Sequence, residues 1–514
     1  MNRIYKYIML TAVLLGPLTG CDNDELVELN VNPTQANELD WRFLLTTGMV
    51  QSAENRYING RVNLNLASGL IQQMATHQVG GERGAGDKYY YHLDSFNGFH
   101  WYVSRDSHKT LAEVIRRTGP EGTDPDMVNT NGVAQVLFAY NMQIMTDLYG
   151  NVAYTEYQKG LDGIFYPKYD TQESIYKDMM AKVQAAANAI GTGSDDLTSA
   201  DVIFGGDLTK WKRFANSLLL RMAMRISNVD PATAQQYAES AISGGVMQSN
   251  DDLAFLEQAD GPSVWFNQNG ISRAMNPSDW GALNMLSKTL VDWLQANNDP
   301  RLEVWAVRGT WDGPWITDPA QQIGMPNGMD IEMLEAYTGQ PFDRENQFSR
   351  INPELLDNAD PWIFQTYAEV ELLRAEVALK GWNNAGGGTA EEHYNKGVAA
   401  SMLQWGIFNP TKVVTQAEVD AYLAAHPFDG SMEMLHTQYW AANFLGQWYE
   451  AYSNWRRTGY PVLTPVNYPG NYSGGQIFRR IEYDINEVAT NAESVQSGGT
   501  MPDDVMTRIW WDVN

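Results

Sequence analysis

Cysteine is nearly absent: among 514 residues there is one, Cys21. A single thiol excludes an intrachain disulfide and a cysteine-ligated metal cluster. Positive charge is scarce as well. Lys and Arg number 35 against 62 Asp and Glu, a formal net charge of −27. That excludes a general nucleic-acid binder, which needs a basic stripe for the phosphates, and disfavours electrostatic attachment to anionic lipid. Past residue 18 no apolar run approaches the roughly 18 residues of a membrane-spanning helix. Catalytic signatures are missing too. There is no G-x-S-x-G, no H-E-x-x-H, no phosphate-binding G-x-x-x-x-G-K-[ST] and no complete EF-hand loop. His92, His100 and His108 recur at intervals of eight, a spacing that does not converge on a metal along a helix, so structural or surface roles are expected. The glycine-rich run at 80–86 follows no clear strand and lacks a phosphate-binding Lys, and reads as a loop.

What is present is a globular composition, 44% apolar and 19% charged, with 17 Trp and 26 Tyr. The length fits two to four domains or one large helical array. At the N-terminus Arg3 and Lys6 precede an apolar stretch from Ile8 to Leu18 and then Leu18-Thr19-Gly20-Cys21. Eleven helical residues span about 16 Å, half a hydrocarbon core, so residues 1–20 read as a signal peptide. Leu-x-Gly-Cys resembles the lipobox of bacterial lipoproteins, which implies cleavage before Cys21 and lipidation, palmitate included, at its thiol. The alternative is an ordinary signal peptide with an incidental cysteine. Residues 21–40 read as an acidic tether. Its Asp22-Asn23-Asp24-Glu25 resembles the surface-export signal of Bacteroidetes lipoproteins, and a solvated linker is the alternative.

Helical periodicity dominates the rest. Val133, Leu137, Tyr140, Ile144 and Leu148 share a face. Asp170 with Glu173 marks a helix start, Ile175, Met179, Val183, Ala186 and Ile190 line it, and Gly191 stops it. Further stripes run through Trp211, Phe214, Leu218, Met222 and Ile226, and through Ile363, Tyr367, Val370, Leu373 and Val377. Helices are also expected at 232–242, 391–403 and 435–452. These pair as hairpins, so a mostly α, repeat-like scaffold is expected, without a strict repeat register. Glu369, Glu371 and Glu376 with Arg374 read as helix-surface pairing. Between the helices lie long Gly-, Pro-, Asn- and Trp-rich loops at 79–91, 258–279, 309–352 and 461–475. Loops this long are uncommon and usually functional.

Those loops carry the candidate binding residues: Tyr90, Trp265, Asn267, Trp280, Trp311 and Trp315, with Asn269, Arg273, Asn276 and Asp312 beside them. Aromatic rings stack on apolar faces while amides and guanidinium satisfy hydroxyls or carbonyls, a pairing suited to a sugar or peptide ligand. The competing reading is that each ring anchors its loop to the core. So acidic a chain leaves paired carboxylates for glycoside hydrolysis open. A surface glycoside hydrolase with a helical fold, or a helical scaffold lipoprotein without a nutrient ligand, therefore stand as alternatives.

Several segments in order resemble the SusD/RagB family of outer-membrane nutrient-binding lipoproteins, in its divergent SusD-like branch. They are Asn30-Val31-Asn32-Pro33, Asp147-Leu148-Tyr149-Gly150-Asn151-Val152-Ala153-Tyr154, the Leu/Arg/Ala run from Trp211 to Ser227, and Ala368 to Glu376. Trp455-Arg456-Arg457-Thr458-Gly459-Tyr460-Pro461, Arg479-Arg480-Ile481-Glu482-Tyr483 and Ile509-Trp510-Trp511-Asp512 complete the set. Arg456 and Arg457 also read simply as cations favourable to a helix C-terminus. The resemblance implies a tetratricopeptide-repeat-like helical scaffold over 41–514 with a loop-rich ligand-binding subdomain. It implies capture of oligosaccharide or peptide without catalysis, and delivery to a SusC-like TonB-dependent transporter at the outer membrane, facing the cell exterior. It implies no cofactor, with calcium in some members, and it assigns no binding residue.

Overall fold

The computed structural model describes residues 40–53, 59–79, 85–90, 104–261, 268–277 and 284–514. The signal peptide, Cys21 and the tether up to residue 39 lie outside the described residues. The chain divides into two units, Met1–Phe43 and Leu44–Asn514, and the account below concerns the second.

Caps and apolar stripes place the helices. Helix Gln172–Ala189 starts at Thr171, whose hydroxyl accepts from Ser174 N. The expected start at Asp170 is off by one, because the Asp170 carboxylate instead takes the backbone N–H groups of Tyr154 and Thr155 at 3.0 and 2.8 Å. Asp207 caps helix Leu208–Arg225, and Asp230 caps Pro231–Gly244, with proline inside the start. Thr389 with Glu392 and Thr415 with Glu418 form capping boxes on Ala390–Leu403 and Gln416–Ala425.

Packing follows sequence order. Helix Lys109–Thr118 packs on Val128–Tyr149, which packs on Gln172–Ala189, then Leu208–Arg225, then Pro231–Gly244. Helix Tyr367–Leu379 packs on Ala390–Leu403 and on Met432–Ala442. The fold is mostly α, a tetratricopeptide-repeat-like array of helical hairpins, as expected. The described strands form two-stranded antiparallel pairs.

Three expected elements come out differently. Ile363 lies in strand Trp362–Gln365, ahead of its helix, because it pairs with Phe255 of Ala254–Leu256. The single helix expected over 435–452 is two, Met432–Ala442 and Trp448–Thr458, broken where Leu445 and Gly446 take positive φ. The loop expected at 309–352 contains helix Ile331–Thr338 and strand Arg350–Ile351.

Much of the aromatic excess is core: Trp211, Trp305, Trp362, Trp405, Trp440, Trp448 and Trp511 are fully buried. Through that core runs a chain of buried ion pairs. Arg221 grips Glu369 with two 2.6 Å bonds, and Gln365 donates to the same carboxylate at 2.8 Å. Arg225 pairs with Asp147 at 3.2 Å and with Glu450. Arg457 grips Glu376 at 2.7 and 2.6 Å, with His436 at 3.4 Å. Glu371 does pair with Arg374 of its own helix at 3.1 Å, but Glu369, Glu371 and Glu376 are all buried, so the expected surface location is corrected. Arg456 and Arg457 are buried too, although their helix does end at a left-handed Gly459. These groups face into the packed seam between non-adjacent helices, where a charge persists only when paired.

Candidate ligand-binding face

The loops converge over a small apolar core of their own. Strand Met74–Thr76 pairs with Asn284–Leu286. Beneath it Ala75, Met285, Met325, Leu334 and Phe348 cluster, with Met329 and Phe342 packed on them. Asp87 accepts from Asn327 Nδ2 at 2.7 Å and from Gly328 N at 3.2 Å, tying the 325–328 turn to the helical turn Ala85–Lys88. Lys88 is buried and bonds Asp87 at 2.6 Å as well as the Thr76 carbonyl.

The loop at 461–475 closes over this base. Gln72 donates to the Thr464 carbonyl at 2.5 Å, Val466 N to the Tyr89 hydroxyl at 3.2 Å, and Tyr472 N to the Tyr89 carbonyl at 2.8 Å. Tyr468 donates to Asp330 at 2.9 Å, and burial with that bond pushes its phenol up to about 12. Tyr90 is half-buried beside it and acts on Tyr468 electrostatically. The His77 ring lies against Phe342, centres 4.8 Å apart and planes tilted by 46°. Burial first, then Arg344 and Lys88, hold its imidazole down to about 4, so it is neutral at physiological pH.

Trp311 and Trp315 occupy a hairpin closed by Arg308 and Ile316, which exchange backbone bonds of 3.1 and 2.8 Å. Both rings are half-buried, and Asp312 between them is exposed. Trp315 Nε1 donates to its own loop at Thr310 O, 2.9 Å away, which fixes the ring while leaving part of it to solvent. Gly309 N bonds the Glu345 carbonyl at 3.1 Å, and the Glu345 carboxylate holds Arg344 at 2.6 Å and Arg350 at 2.5 Å.

Of the sequence candidates, Tyr90, Trp311 and Trp315 fall on this loop-rich part. Trp265, Asn267 and Trp280 lie outside the described residues. Asn269 is corrected. Its Oδ1 caps helix Gly270–Met275 at 3.0 Å, and its amide donates to the Asp360 and Pro361 carbonyls at 3.3 and 3.1 Å, leaving it buried and occupied. Sequence reading missed Tyr468, Asp330, His77 and Phe342. Only the named loop at 461–475 could have signalled the first, because its partner Asp330 lies 138 positions away.

Two open grooves among the described residues lie elsewhere. One runs between Leu294, Leu302, Ala421 and Tyr422, with Glu303 and Glu418 among its lining. Another lies over Pro120, Pro125, Val128, Ala185 and Ala189, beside Lys182. Neither offers an exposed aromatic face, since Tyr422 is buried. Among the described residues no three His, Cys, Asp or Glu side chains come together to hold a metal ion.

The chain was compared with known proteins. A family model described as starch-binding and associating with the outer membrane, SusD-like, matches residues 33–484. No curated protein matches. A solved chitin-binding protein is 31% identical over 92% of this chain and all of its own, with a TM-score of 0.80. A chitin-binding SusD homologue from Flavobacterium johnsoniae is 27% identical, covering 92% of this chain and 98% of its own at a TM-score of 0.74. A SusD homologue from Bacteroides uniformis is 26% identical, covering 92% and 100% at 0.74. With a family match over most of its length and a relative of this identity in register across the whole scaffold, the chain belongs to the SusD-like family of outer-membrane-associated, carbohydrate-binding proteins.

Proposed function

We propose that this protein captures a glycan at the cell surface, with chitin-type oligosaccharides first among candidates, and hands it without turnover to a TonB-dependent transporter. The observation that carries the glycan is the 31% identity to a chitin-binding protein over 92% of the chain. The loop-rich part supplies partly exposed rings held by hydrogen bonds, which suits stacking on the apolar faces of sugar rings. Lipidation at Cys21 would keep the protein at the outer membrane, where the family is described as associating. Peptide remains the alternative ligand class that the sequence allows.

Titration of purified protein with N-acetylchitohexaose, maltohexaose and a peptide mixture, followed by product analysis, tests the reading. Retention of the chitin oligosaccharide with no shortened product is expected. Released product would replace the binder with a hydrolase, and no retention of either glycan would overturn the glycan assignment. Tyr90→Ala, Trp311→Ala and Trp315→Ala then locate the site, since a contacting ring truncated to Ala typically costs on the order of 2 kcal/mol, about 30-fold in affinity. If all three bind like wild type while Ala421→Trp abolishes binding, the glycan lies in the groove on the helical side.

A further inference from the structure

The groove beside helix Gln416–Ala425 is also bounded by the end of helix Lys288–Ala296, the turn that follows it, and the turn at 318–320. Leu294 and Leu302 form its buried floor, and Ala320, Ala421 and Ala425 its exposed walls. The floor is fixed from below. Asp299 is held by Arg301 at 2.9 and 2.6 Å, and the same guanidinium bonds Ser401 at 2.7 Å and Gln438 at 2.8 Å. Gln438 in turn donates to the Tyr422 hydroxyl at 2.7 Å. All five side chains are buried. Arg301 thus neutralises Asp299 and leaves no donor for the other acids of the groove.

Those acids are Glu303, Asp318 and Glu418, all exposed. Asp318 accepts from Gln321 Nε2 at 2.8 Å and Ala320 N at 2.9 Å. Glu418 accepts from the Thr415 hydroxyl at 2.6 Å and Thr415 N at 2.7 Å. These donors carry no charge, so both carboxylates are held in place with their charge uncompensated. The same bonds keep both carboxyls below their ordinary range, hence ionised. Among the described lining residues there is no Lys or Arg. His426 lines the groove too, and its Nε2 donates to the Asn297 carbonyl at 2.8 Å. Two helices end here, at Asn297 and His426, and helix C-termini add partial negative charge.

We propose that this groove docks a polypeptide segment of a partner protein, one in which Lys or Arg alternates with small aliphatic residues. Charge complementarity within the groove selects the basic side chains. Their aliphatic stems lie along the alanine walls while their heads meet Glu303, Asp318 and Glu418. A neutral glycan finds no exposed ring to stack on, because Tyr422 is buried. A free cation would leave the apolar wall uncovered. The docking does not depend on glycan capture.

The test uses the full chain in detergent and a fluorescein-labelled Lys-Ala-Val repeat peptide, with its anisotropy corrected for detergent alone. One peptide per chain is expected to bind, more weakly as salt rises, while the same peptide with Glu for Lys does not. Glu303→Gln, Asp318→Asn and Glu418→Gln together should weaken binding at least ten-fold. Asn and Gln still serve as capping residues, so thermal unfolding should not change. Ala421→Trp, at an exposed position that touches no cap, fills the groove and should weaken binding as much. Glu121→Gln, Glu257→Gln and Glu493→Gln remove equal charge from exposed positions outside the groove and should leave binding within two-fold. Carbodiimide should couple peptide lysines to Glu303 or Glu418. Equal loss in both triple variants means that the peptide senses net charge alone, and overturns the proposal. Absence of binding to wild type overturns it as well. Displacement of the peptide by equimolar spermidine or hexaglucosamine assigns the groove to a free polyamine or an amino sugar, and overturns the polypeptide partner.

Discussion

Glu376 is a fully buried carboxylate. Burial alone would raise its pKa, but Arg457 first, then His436, bring it down to about 2 from an ordinary 4.5. His436, beside it, is pushed down to about 3 from 6.5, by burial foremost and by Arg457, against the pull of Glu376. Replacing Glu376 by Gln leaves Arg457 buried without a counter-charge, and a loss of about 3–5 kcal/mol is expected, read from denaturant unfolding. Both shifts are downward, so the stability these groups contribute is present above their unfolded values and lost as pH falls. For His436 the window runs from 6.5 to about 3. Its slope is about 1.4 kcal/mol per pH unit. His436→Gln should therefore flatten the loss of stability between pH 6.5 and 4 relative to wild type. Asp360 and Glu482, raised to about 7 by burial, act with the opposite sign and are common to both proteins, so the difference isolates the imidazole.

At the scale of elements, close helix contact and capping separate cleanly. A Cβ at Gly397 would sit 2.7 Å from Leu372 Cγ and 3.1 Å from the Ala368 carbonyl, so the glycine sets how closely helices Tyr367–Leu379 and Ala390–Leu403 approach. Gly397→Val should cost about 1–3 kcal/mol by forcing them apart. Thr415→Ala removes one capping hydroxyl from an exposed helix start and should cost about 1 kcal/mol. Urea titration of the two variants checks the ranking. Capping residues and apolar spacing are local signals, which is why the helices at 172–189, 208–225 and 231–244 were legible from sequence. The break at 443–447 was not, because apolar periodicity continues through it. What interrupts the helix there is tertiary: Phe444 stacks 4.4 Å from Trp305, and Gln447 donates to the Ile363 carbonyl.

For the whole molecule the chain's last residues matter most. The guanidinium groups of Arg225 and Arg456 approach the Trp511 ring, 5.4 and 4.7 Å from its centre, and its indole donates to Asp147 at 2.8 Å. The C-terminal segment thus closes the ion-pair seam that helices Val128–Tyr149, Leu208–Arg225 and Trp448–Thr458 leave open. Trp511→Ala opens a cavity beside buried charges and should destabilise by about 3–5 kcal/mol, seen as a lower thermal midpoint.

Composition, charge and periodicity determined by themselves that this is a mostly helical, acidic, loop-bearing protein without the catalytic motifs sought. The ordered motifs brought the family within reach. Those properties are local or additive, so a linear reading recovers them. Which carboxylates are buried, and which loops meet, was decided only in three dimensions. Glu369 and Arg221 are 148 positions apart, and Gln72 and Thr464 are 392 apart. A charged residue on a helix looks the same in sequence whether it faces water or a guanidinium from a distant helix. The helical stripes could be read because each side chain's neighbours lie a turn away in the chain. The ion-pair seam and the ligand face could not, because every partner that defines them is brought in by packing.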